Sequence, residues 1–75
     1  MKLETLIAEA LSTPEASLQD STELRSIPAW DSMTHIVLIT RLEESFGVQL
    51  TGDEIADMKT VGDARRFLRG HGATV

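Results

Sequence analysis

Two adjacent residues near the middle of the chain, Asp31 and Ser32, have types and positions suited to chemistry at the start of a helix. Asp caps helices well, because its carboxylate accepts a hydrogen bond from an unpaired backbone N–H of the first turn. We expect Asp31 to bind the N–H of Thr34 or its neighbour, which leaves the Ser32 hydroxyl free to be modified. A phosphodiester there would lie at a helix N-terminus, where the helix dipole favours negative charge. The pair is therefore suited to a modification site, but such a pair on its own more often only caps a helix, and the flanking sequence has to decide.

The two histidines are weaker candidates. His35 lies one turn after Ser32, so the two side chains could meet. Catalysis would also need an orienting carboxylate and donors for an oxyanion, and because the sequence indicates neither, we reject a hydrolase and predict no catalytic residue. We expect His35 to be partly buried with a hydrogen-bond partner and His71 to be solvated. Neither histidine has a metal-ligand companion at useful spacing, and the acids of residues 53–57 lack the pattern of a calcium loop, so we predict no metal site.

Charge is unevenly distributed along the 75 residues. Residues 31–58 carry six acids and one base, whereas residues 59–75 carry one acid and four bases. The acidic field of the middle segment repels nucleic acid and anionic lipid, so we expect neither as a partner. There is no cysteine and no long apolar segment. We therefore predict a cytoplasmic monomer without a disulfide or a membrane span.

Hydrophobic periodicity predicts a single all-α domain over residues 1–75. Pro14 should end the first helix, Gly47 the second, and the capping box Thr51–Glu54 should open a short third helix. A long first loop should pack on the helices through its apolar residues, with a turn of helix near Leu18. The result is a four-helix bundle with a short third helix. The expected helices are about residues 2–12, 32–46, 52–58 and 61–69, followed by a loose tail at 70–75.

The second predicted helix has two apolar faces. At about 100° per residue, Leu38, Leu42 and Phe46 fall on one side and should face the core. A helix on the surface of so small a bundle cannot bury both faces, so the opposite face should be exposed. Exposed apolar surfaces rimmed by charge are typical of binding sites. This face, called the outer strip below, consists of Met33, Ile36, Val37 and Thr40, with Arg41, Glu43 and Glu44 on its rim.

Three segments at matching spacing resemble the acyl carrier protein family. Residues 30–33 (Trp-Asp-Ser-Met) are similar to the family's Asp-Ser-Leu motif. Residues 42–48 resemble the end of its second helix, and residues 60–64 resemble the opening of its fourth. The resemblance implies that Ser32 carries a covalent 4'-phosphopantetheine arm and that Asp31 belongs to the same motif. It also implies that the domain carries cargo and catalyses nothing.

The resemblance implies partners as well. These are a phosphopantetheinyl transferase that installs the arm from coenzyme A, an acyl- or aminoacyl-activating enzyme, and downstream transferases or synthases. In the family, partner enzymes dock on the face beside the modified serine, which maps onto the outer strip. The commonest fatty acid carriers have acids early in this helix, whereas this chain has Thr34, His35 and Val37. We therefore expect docking to depend more on apolar contact than on salt bridges.

Several alternatives stay open at this point. Fatty acid, polyketide and other specialised pathways fit, and Asp-Ser-Met also resembles D-alanyl carriers, so the cargo could be acyl or aminoacyl. A protein-interaction domain in which Ser32 only caps a helix is a rival of another class. A bundle that dimerises through the outer strip is a second rival. Trp30 should either pack over the first loop or lie against the arm.

Overall fold

The structure is a computed structural model that describes residues 2–75, and in that part of the chain it contains four α-helices and no strand. The all-α class is confirmed. The long first loop contains two short 3-10 turns, Glu15–Ser17 and Leu24–Ser26. The first precedes Leu18, where the sequence predicts a turn, and the second is not predicted. The helices are α1 (Leu3–Ala10), α2 (Ser32–Phe46), α3 (Gly52–Asp57) and α4 (Val61–Gly70).

The structure differs from the predicted boundaries in two places. The first helix is shorter than the predicted 2–12, because Ser12 has a positive φ of 50°, which lies outside the right-handed helical region. The C-terminal tail is not loose. The backbone N–H of Ala73 donates to the Leu68 carbonyl at 3.0 Å, and the side chains of Ala73 and Val75 pack on the core. Apolar side chains in the tail thus hold it against the bundle.

A single hydrophobic core joins the helices and the first loop. As predicted, α2 turns Leu38 and Leu42 inward, and both are fully buried. The apolar residues of the first loop are buried too, which explains why so long a connection can pack closely on the helices. These buried loop residues are Leu18, Leu24 and Ile27.

The first loop is also held by backbone hydrogen bonds to the connection between α3 and α4. The N–H of Leu24 donates to the Lys59 carbonyl at 2.8 Å, and the N–H of Gly62 donates to the Asp20 carbonyl at 2.9 Å. A Cβ on Gly62 would lie 3.0 Å from the Asp20 oxygen, so only glycine fits this approach without a shift. These bonds bring the second half of the loop next to α3 and the start of α2.

Candidate functional site

Asp31 caps α2 as the sequence predicts. Its Oδ1 accepts from the N–H of Thr34 at 2.8 Å, and its own N–H donates to the Thr34 hydroxyl at 2.8 Å. The two bonds form a capping box, in which each residue satisfies a backbone donor of the other. The hydrogen bond from Thr34 also lowers the pKa of Asp31 below its ordinary 3.8. The carboxylate is therefore ionised at neutral pH and fixed at the helix start.

Ser32 is the first residue of α2, and its side chain is exposed. Within residues 2–75 no hydrogen bond involves its hydroxyl, because Asp31 and Thr34 already perform the capping. The hydroxyl thus lies in solvent beside the positive end of a 15-residue helix. An enzyme can reach it without unfolding any part of the protein.

Trp30 and His35 form a hydrogen-bonded chain that links the first loop, α2 and α3. The indole Nε1–H of Trp30 donates to His35 Nδ1 at 3.3 Å, and His35 Nε2 lies 3.1 Å from the Ile55 carbonyl oxygen. An indole N–H can only donate, so the histidine proton is on Nε2 and is given to Ile55. The predicted half-buried and hydrogen-bonded His35 is confirmed. Both ring nitrogens are occupied, so His35 is not placed to accept a proton from Ser32.

A groove of about 390 Å³ begins beside Ser32 and runs between α2 and α3. Trp30 forms one wall, and its half-buried ring also packs on the hydrophobic core. The Arg25 guanidinium lies over this ring, with Cζ 5.4 Å from the ring centroid. The groove is therefore partly apolar, with basic groups at its border. Its lining residues are Arg25, Trp30, Ser32, His35, Ile36, Gly52, Ile55, Ala56, Met58 and Lys59.

The outer strip is exposed in the structure. Met33 is 77% exposed, Ile36 56% and Val37 42%, and these are the large hydrophobic side chains that residues 2–75 leave in solvent. Thr40 and Glu44 are also exposed. The first loop does not fold over this face. The structure thus places a continuous apolar surface next to Ser32, as the sequence predicts.

Glu43, which the sequence places on the rim of the outer strip, also has a structural contact. Its side chain is half-buried, and Oε2 accepts from the backbone N–H of Leu50 at 2.9 Å. The carboxylate thereby satisfies a backbone donor in the segment between α2 and α3. Glu43 thus has a structural role at the end of α2, whereas Glu44 is the more exposed of the two rim acids.

One acid of α3, Glu54, has structural partners. Glu54 accepts from the N–H of Thr51 at 2.9 Å and so completes the capping box at the start of α3. It also lies 2.8 Å from Nε2 of His71, which shows that the prediction of a merely solvated His71 is wrong. Within residues 2–75, no group of three His, Asp or Glu side chains is arranged to hold a metal ion.

A family model described as "Phosphopantetheine attachment site" matches residues 2–68, which is nearly the whole chain. The chain belongs to the acyl carrier protein family. Two curated relatives support this. The acyl carrier protein of Lactobacillus acidophilus is 31% identical over 93% of this chain and 88% of its own length. That of Acidothermus cellulolyticus is 32% identical over 88% of this chain and 79% of its own length.

A solved structure supports the fold. The solution structure of a holo acyl carrier protein from Geobacter metallireducens superposes with a TM-score of 0.81 at 26% identity. The match covers 92% of this chain and 79% of that one. Membership of the acyl carrier protein family implies 4'-phosphopantetheine as the covalent prosthetic group, which removes the rival of an interaction domain without one. In the described residues, no helix is long and apolar enough to cross a membrane.

Sequence reasoning missed Arg25 and Lys59 at the border of the groove. Each is isolated in the chain, and no local motif marks it. They come together because the first loop binds the connection between α3 and α4, which brings Leu24 to the Lys59 carbonyl. The only signal in the sequence is that Lys59 begins the basic C-terminal segment directly after the acidic one.

Proposed function

We propose that Ser32 carries the 4'-phosphopantetheine arm and that the protein uses it to present acyl or aminoacyl groups to partner enzymes. When bound, the arm supplies a flexible linker with a terminal thiol that holds the cargo as a thioester. The observation that carries the proposal is the exposed Ser32 hydroxyl, which has no hydrogen-bond partner in residues 2–75. The neighbouring Asp31 occupies the N-cap position and performs the capping, so the Ser32 hydroxyl is not used for it.

The site fits the phosphodiester that joins the arm to the serine. Ser32 lies at the start of α2, where unpaired backbone N–H groups and the helix dipole favour an anion. The groove beside it has basic side chains on its border and no acid among its lining residues. The protein's own contribution is thus to hold the attachment point rigidly, while a tethered cargo meets each docked active site at high effective concentration.

The outer strip is the surface on which we expect partner enzymes to dock. Met33, Ile36, Val37 and Thr40 form an exposed face of α2 that begins next to Ser32, and half-buried Glu43 and exposed Glu44 lie on its rim. The partners that family membership implies are transferases and synthases. The particular ones proposed here are a phosphopantetheinyl transferase and an enzyme that loads an acyl or aminoacyl group. A D-alanyl cargo remains compatible with the Asp-Ser-Met motif, and location in the cytoplasm stays a prediction.

The test is intact-mass analysis after incubation with coenzyme A and a promiscuous phosphopantetheinyl transferase. The wild-type protein should gain the mass of one phosphopantetheine, and Ser32→Ala should gain nothing. Ser45→Ala is the matched control, because Ser45 is an exposed serine near the other end of α2. Circular dichroism should show the same helicity in all three proteins. Loading of Ser32→Ala, or no loading of the wild type, would contradict the proposal.

A further inference from the structure

Two basic residues beside Ser32 have no acidic partner. Arg25 and Lys59 both line the groove, although the chain has a net charge of −5. Within residues 2–75 neither forms a salt bridge, whereas Arg65 and Arg66 of α4 both do. No Asp or Glu is among the lining residues. The border of this groove is therefore complementary to an anion in an otherwise acidic protein.

The backbone and side-chain contacts around the groove hold both basic residues in place. The Arg25 guanidinium lies on the Trp30 ring, and Trp30 is in turn tied to His35. Lys59 is fixed through its backbone, because its carbonyl accepts from Leu24 and its N–H donates to a carboxylate oxygen of Asp63 at 3.1 Å. Two cations on anchored segments thus line the same groove.

We propose that Arg25 and Lys59 bind the phosphodiester of the arm on Ser32 and lay the adjoining pantetheine along the groove against Trp30. This inference rests on the proposed attachment at Ser32. A phosphodiester bonded to the Ser32 Oγ is held at the border of the groove by its covalent link, so binding has little translational entropy to overcome. Guanidinium and ammonium groups both bind phosphate oxygens through charge-assisted hydrogen bonds.

In this arrangement the arm would lie on the protein surface but could still detach from it. The cations are solvent-exposed, so salt should screen their attraction for the phosphodiester. A partner enzyme that offers a stronger anion site can then draw the arm out of the groove. The protein would thus hold the arm near one face of α2 without burying it.

Trp30 gives a direct readout, because it is the only tryptophan in the chain. We compare acrylamide quenching of its fluorescence in the unloaded and loaded wild-type protein. Loading should lower the quenching constant, since the pantetheine would cover the exposed part of the indole. The decrease should be lost in the double variant Arg25→Gln Lys59→Gln, even when that variant is fully loaded. Each variant is compared with its own unloaded form, so the contact between Arg25 and Trp30 does not bias the result.

A charge-matched control is the double variant Arg41→Gln Lys2→Gln. It also removes one arginine and one lysine, but neither residue lines the groove, so its decrease on loading should equal that of the wild type. The phosphorus NMR signal of the arm gives a second readout. In the wild type the transverse relaxation rate of this signal should fall towards that of a free phosphodiester as salt is raised. In Arg25→Gln Lys59→Gln the same rate should depend little on salt.

The outcomes separate this inference from the proposed function. If the wild type gains no mass with coenzyme A and the transferase, attachment at Ser32 is wrong and the inference falls with it. If loading is complete but quenching is the same with and without the arm, the inference alone is overturned. It is also overturned if Arg25→Gln Lys59→Gln shows the wild-type decrease. Should that variant lose its helical circular dichroism signal, the single variant Lys59→Gln replaces it, with a partial loss of the decrease expected.

Discussion

The two faces of α2 carry similar apolar side chains in opposite environments. On the inner face Leu38 and Leu42 are 0% exposed, whereas on the outer strip Met33 is 77% and Ile36 56% exposed. Burial of apolar surface is the main stabilising contribution to folding, so the inner face holds the bundle together. The outer strip adds almost nothing to that stability. The comparison indicates that one helix divides its apolar residues between folding and partner binding.

A substitution on the inner face of α2 should have the largest effect on stability. Leu42→Ala should lower the free energy of unfolding by about 2–5 kcal/mol, because it removes buried methyl groups and leaves a cavity in the core. That is a large fraction of the stability of so small a domain. Chemical denaturation followed by circular dichroism measures it. A loss of less than about 1 kcal/mol would show that the inner face is not the stabilising one.

The outer strip should show the reverse pattern. Ile36→Ser Val37→Ser should change the free energy of unfolding by only about 0.5 kcal/mol for each residue, since both side chains are already in solvent. The kcat/KM of a phosphopantetheinyl transferase acting on the variant should fall by roughly fivefold or more, as expected for lost apolar contacts at an interface. Ala16→Ser, an exposed change in the first loop, is the control and should leave both quantities unchanged.

The character of the outer strip also predicts a weak dependence of docking on salt. Its side chains near Ser32 are apolar, and Glu43 is occupied by the Leu50 N–H. On the rim, Glu44 and Arg41 are the exposed charges that salt can screen, and they have opposite signs. We expect the transferase kcat/KM to change little as ionic strength is raised. A steep decrease with salt would contradict docking through apolar contact.

The smallest expected effect is the change in stability at low pH. The pKa of Asp31 is lowered by the N–H of Thr34, and that of Glu54 by the N–H of Thr51. Burial alone would raise the pKa of Asp63. Hydrogen bonds from the backbone N–H groups of Lys59 and Thr60 lower it by more, so the pKa of Asp63 is lowered overall. Carboxyl groups whose pKa is lower in the folded state contribute stability that is present at neutral pH and is lost as pH falls.

The free energy of unfolding should therefore be nearly constant from neutral pH down to about 5 and should decrease below about 4.5, where carboxyl groups of the unfolded chain begin to bind protons. Denaturation at a series of pH values measures this. Asp31→Asn should make the decrease shallower, because Asn can still cap α2 without a charge. A decrease that begins near pH 7 would mean that other groups dominate.

Local sequence patterns are enough to predict α2 and its two faces. The cap at Asp31, the end at Gly47 and the capping box at Thr51 depend on neighbours within four residues, so spacing alone reveals them. The same holds for the exposure of the outer strip, which follows from helical periodicity. The spacing of these residues therefore also locates Ser32 as a candidate site at the start of α2.

Contacts between distant segments cannot be predicted in this way. The pairing of His71 with Glu54, and the approach of Arg25 and Lys59 to one groove, join residues that are far apart in the sequence. They depend on how the first loop and the tail pack, which no local periodicity specifies. The hydrogen bond of Glu43 could not be predicted for the same reason, because its partner Leu50 lies in the segment after the helix.

The central claim is that Ser32, at the junction of the two faces, holds the prosthetic group. The most direct measurement is fragmentation mass spectrometry of the loaded protein after trypsin cleavage at Arg25 and Arg41. The resulting peptide, residues 26–41, contains four hydroxyl residues, which are Ser26, Ser32, Thr34 and Thr40. We predict that the added phosphopantetheine lies on Ser32. Its presence on any of the other three, or on a different peptide, would contradict this account.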